Sequence, residues 1–221
     1  MLVEWIASDS SWLWVLNCLA FSAVVLCLRL AQWSLLLPVN ERQHLLIGSS
    51  FALCGFWLME FSVIEGLSIH PLVITAATLI LGFRFAVISA SCAAVGYFIV
   101  AGHGWPNLGA YLLLNVIVPS AFIALATRWL RAREPSNLFF YTLGVGFIGS
   151  ALTVPLVAVS SYLTLALAVS IPSAASVQWQ PEWILLAMFP EAFINGVIVS
   201  SITVFFPHWM KTFDEDYFLS R

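Results

Sequence analysis

The sequence predicts an all-α protein, a polytopic membrane helical bundle of about seven transmembrane helices running N-out/C-in. Three observations lead there. The 221 residues are 62% hydrophobic and only 9% charged, where a soluble domain carries roughly a quarter charged residues. Apolar runs of membrane-spanning length recur along the chain. Strand-period alternation is absent, which argues against a barrel. So little charge cannot dress a water-facing surface, and a soluble globular protein and a disordered chain are both excluded. Eight Lys+Arg against eleven Asp+Glu give a net charge of -3 and no basic stripe, so no nucleic-acid partner is expected. The whole chain, 1–221, reads as a single integral membrane domain with lipid as its first partner.

A helix rises 1.5 Å per residue, so the ~30 Å hydrocarbon layer needs about twenty apolar residues. Seven segments qualify in turn. The first spans 12–36 and the second 44–63. The third, 70–82, is short and crosses only by using its flanks or where the protein encloses it. The fourth (84–101) and fifth (109–129) are of ordinary length. The sixth, 138–170, is too long for one straight crossing and too short for two. It holds Gly144, Gly146 and Gly149, and Pro155 is expected to bend it, so its tail is expected to leave the membrane. The seventh runs 183–206.

The count of seven agrees with the placement of charge. It puts Arg29, Arg42, Arg84, Arg128, Arg131, Arg133, Lys211 and Arg221 on one side. Glu4, Asp9, Glu65, His70, His103 and Glu182 fall on the other, which has no Lys or Arg. Trp5, Trp12 and Trp14 mark one boundary, and Trp33, Trp129 and Trp209 the other. No removable signal peptide is expected, because the first residues are not basic and no small-residue cleavage site follows. Cys18, Cys27, Cys54 and Cys92 lie in apolar runs without a CxxC pair, so neither a disulfide framework nor a thiolate zinc site is expected.

Three constellations stand out. His70 and His103 fall in outer loops at the mouths of neighbouring segments, with Glu65 five residues before His70. Neutral imidazole is a common ligand for Ni, Co, Cu and Zn, and an acidic outer face attracts cations. These residues are a candidate metal site. Equally, the imidazoles can be interfacial groups bonded to loop carbonyls. Glu191, Asn195 one turn below it, and Asn115 on the fifth segment are the second. A carboxylate ~12 Å deep in a membrane costs ~3 kcal/mol or more and must face a cavity or a partner. The group is either a polar lining beneath a pocket or a hydrogen-bond knot between helices, with Asn115 placed to donate to Glu191. Glu60 lies near the outer end of its segment and reaches the interface. The third constellation is Ala86, Ala90 and Ala94, a smooth stripe for packing within the bundle or for docking another membrane subunit. No phosphate-cradling loop, HExxH or GxSxG occurs, so no enzyme is expected.

Residues 65–131 resemble the substrate-capture membrane subunit of energy-coupling-factor cobalt/nickel ABC transporters, the CbiM/NikM type. GHGWPNLGAYLLLNVIVPS (102–120) is similar to that family's GHGG-T-LG-N-LNM-V-GP stretch. SIHPLVITAATLILGFRFAVI (68–88) is similar to its short V-H segment and following helix. PEAFINGVIVS (190–200) is similar to its closing E-x-x-I-T-G helix. The resemblance implies capture of a divalent transition metal, Ni or Co, as substrate, with no covalently bound cofactor. It also implies a transmembrane scaffold partner, ATPase subunits and a bacterial plasma (inner) membrane location. By this resemblance His70 matches an internal metal-binding histidine, His103 the GHG segment, and Asn115 and Glu191 polar positions near the core. The family also binds metal through an N-terminal amine and a histidine at the second position. Here Leu2 stands there, so a site built from His70, His103 and Glu65 is the expectation. The alternative is a non-transporting scaffold or assembly factor that keeps the fold. An intramembrane enzyme would need His70, His103 and Glu191 to converge on a water-filled cavity.

Overall fold

Backbone amides buried in hydrocarbon must find partners within the protein, and helices satisfy them locally. The computed structural model describes residues 11–64, 67–133, 137–168 and 181–213, and among these described residues the chain forms seven helices of two turns or more. They are α1 (Ser11–Leu30), α2 (Asn40–Leu58), α3 (Ile74–Leu81), α4 (Phe83–Ala101), α5 (Trp105–Ala132), α6 (Phe140–Leu167) and α7 (Pro181–Phe205). All but α2 and α3 are long and apolar enough to cross a membrane. Their outward residues are apolar: Trp14 in α1, Leu125 in α5, Leu163 in α6, and Leu185 and Phe189 in α7 are all exposed. Such a surface suits lipid and not water.

The first segment is shorter than expected. α1 stops at Leu30, and a separate turn, Trp33–Leu36, follows. The Trp33 indole donates to the Leu28 carbonyl (2.8 Å) and Arg84 donates to the Leu30 carbonyl (2.5 Å). Both bonds satisfy carbonyls that the last helical turn leaves open. α2 is of spanning length, but it opens on the polar run Asn40–His44, which shortens its apolar part.

Between α2 and α3 the chain forms a small antiparallel hairpin. β1 (Phe61–Ile64) pairs with β2 (Leu67–Ile69), with Phe61 opposite Ile69 and Ser62 opposite Ser68. The end of the expected second segment is therefore strand. A hairpin satisfies its amides across the pair, which allows non-helical backbone where protein surrounds it.

α3 has eight residues, about 12 Å of helix. It cannot cross a bilayer alone, and every one of its residues is buried. Protein encloses it, as its length required. α6 continues as helix through Pro155 to Leu167, so the tail expected to leave the membrane stays in the bundle. It accommodates its glycines in a π-helical stretch, Phe140–Gly149. A second π stretch, Leu112–Ile117, lies in α5 just before Pro119. Proline has no N–H to offer the carbonyl four residues back and its ring crowds that carbonyl, so wider turns form beside it.

The helices alternate in direction. Asn17 in the second turn of α1 meets Pro106 and Gly109 at the start of α5, bonding at 3.0 and 2.8 Å. At the opposite end Lys211 and Thr212 donate backbone N–H to Ile80 and Leu79 at the end of α3. The Arg131 guanidinium bonds the Thr212 carbonyl. Arg29, Arg42, Arg84, Arg128, Arg131, Arg133 and Lys211 thus share one end, while Glu60, His70 and His103 lie toward the other. Ala86, Ala90 and Ala94 are fully enclosed. Beside them Ser50 on α2 meets Ser89 on α4 at 3.0 Å. The stripe packs within this chain and offers no face to another subunit.

Candidate functional site

The floor of the site begins at Glu191. It lies between Pro190 and Asn195 in the interior of α7, 3% exposed. Its two oxygens accept the backbone N–H of Leu72 (2.7 Å) and Val73 (2.9 Å), just ahead of α3. Asn195, one turn on, donates to Glu191 Oε1 (2.7 Å) and accepts the N–H of Ala76 (2.9 Å). These are the amides that a helix start leaves without partners, and the positive end of the helix favours a carboxylate there. Two side chains from a neighbouring helix therefore cap α3 inside the bundle. Of the two sequence readings, Glu191 and Asn195 form the hydrogen-bond knot. Asn115 takes no part in it: its side-chain amide donates to Tyr111 O in its own helix (3.2 Å).

Val73 has φ +53°, a left-handed conformation that a β-branched residue adopts only under constraint. The Glu191 bond to its own N–H supplies that constraint. The resulting sharp turn starts α3 and leaves His70 directly above it.

His70 is 2% exposed. The loop position holds, since His70 lies between β2 and α3, but the expected place at the mouth is corrected: the ring lies inside, boxed by Trp57 (6.0 Å), Tyr97 (5.8 Å) and Tyr111 (5.9 Å between ring centres). Trp57 is fastened by its indole N–H to the Leu72 carbonyl (3.0 Å). His70 Nδ1 faces the Pro71 carbonyl (3.3 Å) and Nε2 faces the Tyr111 hydroxyl (3.2 Å). A carbonyl only accepts, so Nδ1 carries the proton. Nε2 then holds the lone pair and accepts from Tyr111. Nε2 is thus the ring's acceptor, and Tyr111 covers it.

His103 comes to the same place from the other side. Gly102 ends α4 at φ +73°, and both Gly102 and His103 donate backbone N–H to Phe98 O (3.1 and 3.2 Å). This left-handed stop suits glycine and folds His103 back over α4. Its ring lies 4.7 Å from Tyr97 and 5.3 Å from Phe98. Its Nε2 is 3.8 Å from Glu60 Oε2, and the same oxygen accepts the Tyr97 hydroxyl at 2.8 Å. The two side chains are 18% and 24% exposed, so this pair forms the rim above the enclosed His70.

Tyr97 therefore touches both predicted histidines. Glu65, the third predicted ligand, lies outside the described residues. Among the described residues no three His, Cys, Asp or Glu side chains are grouped to hold a metal ion. Sequence reasoning had placed Glu60 at the interface without a partner and passed over Tyr97, Tyr111 and Trp57. Tyr97 lies six residues before His103 across a glycine helix stop, a spacing that brings a loop residue back over the last turn. Nothing in the local sequence marks Glu60 as its partner.

Chemically, the site is an imidazole in an aromatic box, a second imidazole and a carboxylate at the rim, and a sealed floor. Those donors suit a borderline cation. The family described as CbiM, cobalt uptake substrate-specific transmembrane region, matches residues 9–209. No curated protein and no solved structure matches the chain. CbiM is a family of membrane components of transport and not of enzymes. A helical membrane bundle matched over nearly its whole length identifies the chain as a member of the CbiM family of cobalt uptake transmembrane components.

Proposed function

We propose that this protein captures a divalent transition metal, cobalt or nickel, as the substrate-specific subunit of an energy-coupling-factor type ABC transporter. His70 Nε2 and His103 are its imidazole ligands, Glu60 supplies a carboxylate at the rim, and Glu65 is a further candidate. The observation that carries this reading is the shared contact with Tyr97. One ring holds the two imidazoles at 5.8 and 4.7 Å, and its hydroxyl holds the carboxylate. Donors to one ion lie within about 4 Å of each other, given metal–N bonds of about 2.0–2.1 Å. His103 Nε2 and Glu60 Oε2, 3.8 Å apart, meet that requirement.

The basic end of the bundle faces the cytosol of a bacterial plasma membrane in this reading, and the site faces outward. A transmembrane scaffold and ATPase subunits supply the energy, because no residue pattern in this chain binds nucleotide phosphates.

Equilibrium dialysis of the purified protein with Co(II) and Ni(II) tests the capture. The expected result is stoichiometric binding, weakened at least about tenfold by His70→Ala and less by His103→Ala or Glu60→Gln. Wild-type affinity in His70→Ala would exclude this site. Affinity capture from native membranes tests the partners. Recovery without any ATPase subunit would favour a scaffold role.

A further inference from the structure

The short helix α3 is held at both ends by α7 and the chain that follows it. At its start Glu191 and Asn195, in the interior of α7, take the N–H groups of Leu72, Val73 and Ala76. At its end the chain just past α7 returns to it. A turn, Pro207–Trp209, leads into residues 210–213. There the Lys211 N–H donates to Ile80 O (2.9 Å) and the Thr212 N–H to Leu79 O (3.3 Å). These are carbonyls for which α3 has no next turn. Gly82, at φ +78°, lets the chain pass close, since a Cβ there would lie 3.3 Å from Lys211 Cγ.

Thr212 is the centre of this strap. Its hydroxyl lies 2.8 Å from the Leu79 carbonyl, which only accepts, so Thr212 donates. The Tyr141 hydroxyl, 2.6 Å from the same Thr212 oxygen, therefore donates to it. Arg131 donates to the Thr212 carbonyl. α3, α5 and α6 thus meet on one residue. Met210 and Phe213 are buried, Phe213 with its ring centre 5.3 Å from that of Tyr141. Lys211 is exposed at the basic end of the bundle.

Length decides what the strap does. An isolated helix below about 12–15 residues is marginal, and it forms or opens as a cooperative unit. α3 has eight residues. Its two ends therefore do not come loose independently, and freeing the inner end loosens the outer one. The outer end is already under constraint, because Val73 keeps φ +53° through its bond to Glu191. His70 stands just ahead of that turn, and the Leu72 carbonyl holds the Trp57 indole of its aromatic box.

We propose that residues 210–213 are a latch that sets, from the basic end, how firmly α3 and the His70 turn are held. Displacing the strap loosens the aromatic box at the opposite end. The consequence for metal release rests on the proposed capture, and the latch itself does not.

Hydrogen–deuterium exchange of the purified protein reads the opening segment by segment. Thr212→Val keeps the side-chain shape and removes the hydroxyl. Tyr141→Phe keeps the ring against Phe213 and removes the second donor. Loss of such a bond should speed exchange about two- to tenfold, equally in residues 72–77 and 78–82, with residues 86–94 of α4 unchanged. Tyr141→Phe acts in the same direction, and it decides the matter if the Thr212 variant does not fold. Faster exchange confined to 78–82 overturns the latch. So does an equal rise in 86–94, or no change in either variant. Co(II) dissociation, followed in parallel, should quicken by the same factor. Faster exchange at 72–77 with an unchanged dissociation rate overturns the control over release. A wild-type protein that binds no Co(II) counts against capture and leaves the exchange pattern to decide the latch.

Discussion

Glu191 holds the backbone N–H of Val73 at 2.9 Å across 118 residues of sequence, and with it the start of a helix that begins inside the bundle. The carboxylate replaces the solvent that a helix start at a protein surface would use. Glu191→Ala removes both acceptors at once. An orphaned buried donor costs about 1–3 kcal/mol, so the loss for Leu72 and Val73 is about 2–6 kcal/mol. Glu191→Gln retains one acceptor but turns an NH₂ toward an N–H, and should fall between the two. Thermal unfolding in detergent checks the order. A Glu191→Ala variant as stable as wild type would show that the clasp is dispensable.

In the proposed capture, Tyr111 competes with the metal for the lone pair of His70. Its hydroxyl lies 3.2 Å from Nε2. Tyr111→Phe keeps the ring wall and removes the competing donor. A typical hydrogen bond nets about 0.5–1.5 kcal/mol, so Co(II) affinity should rise about two- to tenfold. Calorimetric titration reads this directly. Weaker binding in the variant would make the hydroxyl a participant in capture and not a cover over it.

Gly109 is the point where α1 is seated on α5. A Cβ there would strike the Asn17 side chain and backbone, while Asn17 itself accepts the Gly109 N–H. Gly109→Ala must push α1 away. Overpacking of this kind costs about 1–3 kcal/mol. Gly48, exposed in the middle of α2, is the matched control, since nothing lies within 4 Å of a Cβ built there. Gly48→Ala should be neutral or stabilise by up to about 1 kcal/mol. Comparing the two melting temperatures checks the pair, and a loss for Gly48→Ala equal to that for Gly109→Ala would refute the seating argument.

Replacing Tyr97 tests whether the rim and the enclosed imidazole form one site. Tyr97→Phe removes the hydroxyl bond to Glu60 (2.8 Å) while keeping the ring between His70 and His103. Loss of that charged hydrogen bond, about 1.5–3 kcal/mol for its type before solvent at the rim is allowed for, frees Glu60 to wander. Metal affinity should fall a fewfold, with the effect of Glu60→Gln largely absent in the Tyr97→Phe background. Additive losses in the double variant would separate the two residues.

The long crossings were legible in the sequence because lipid demands length and apolarity, and both can be counted. The buried role of Glu191 was legible too, as a carboxylate at membrane depth with Asn195 one turn away. Its partners were not, because they are backbone amides, which every residue carries and no composition reveals. The hairpin was hidden because Phe61–Ile64 is as apolar as the helix before it. A loop position for His70 followed from its polarity beside Pro71, yet its surroundings are three aromatic residues drawn from three different helices. Tyr97 and Tyr111 looked like ordinary members of apolar segments, since their hydroxyl partners, Glu60 and His70, lie 37 and 41 residues away.

The eight buried residues of α3 plug the bundle beyond the Glu191 clasp. In the proposed capture, cargo held beside His70 has no route past Ile74–Leu81 while those residues remain packed on all sides. It must leave by the opening it entered, or leave when the whole molecule changes its pose in the bilayer. On that reading the chain alone would hold its cargo and not conduct it.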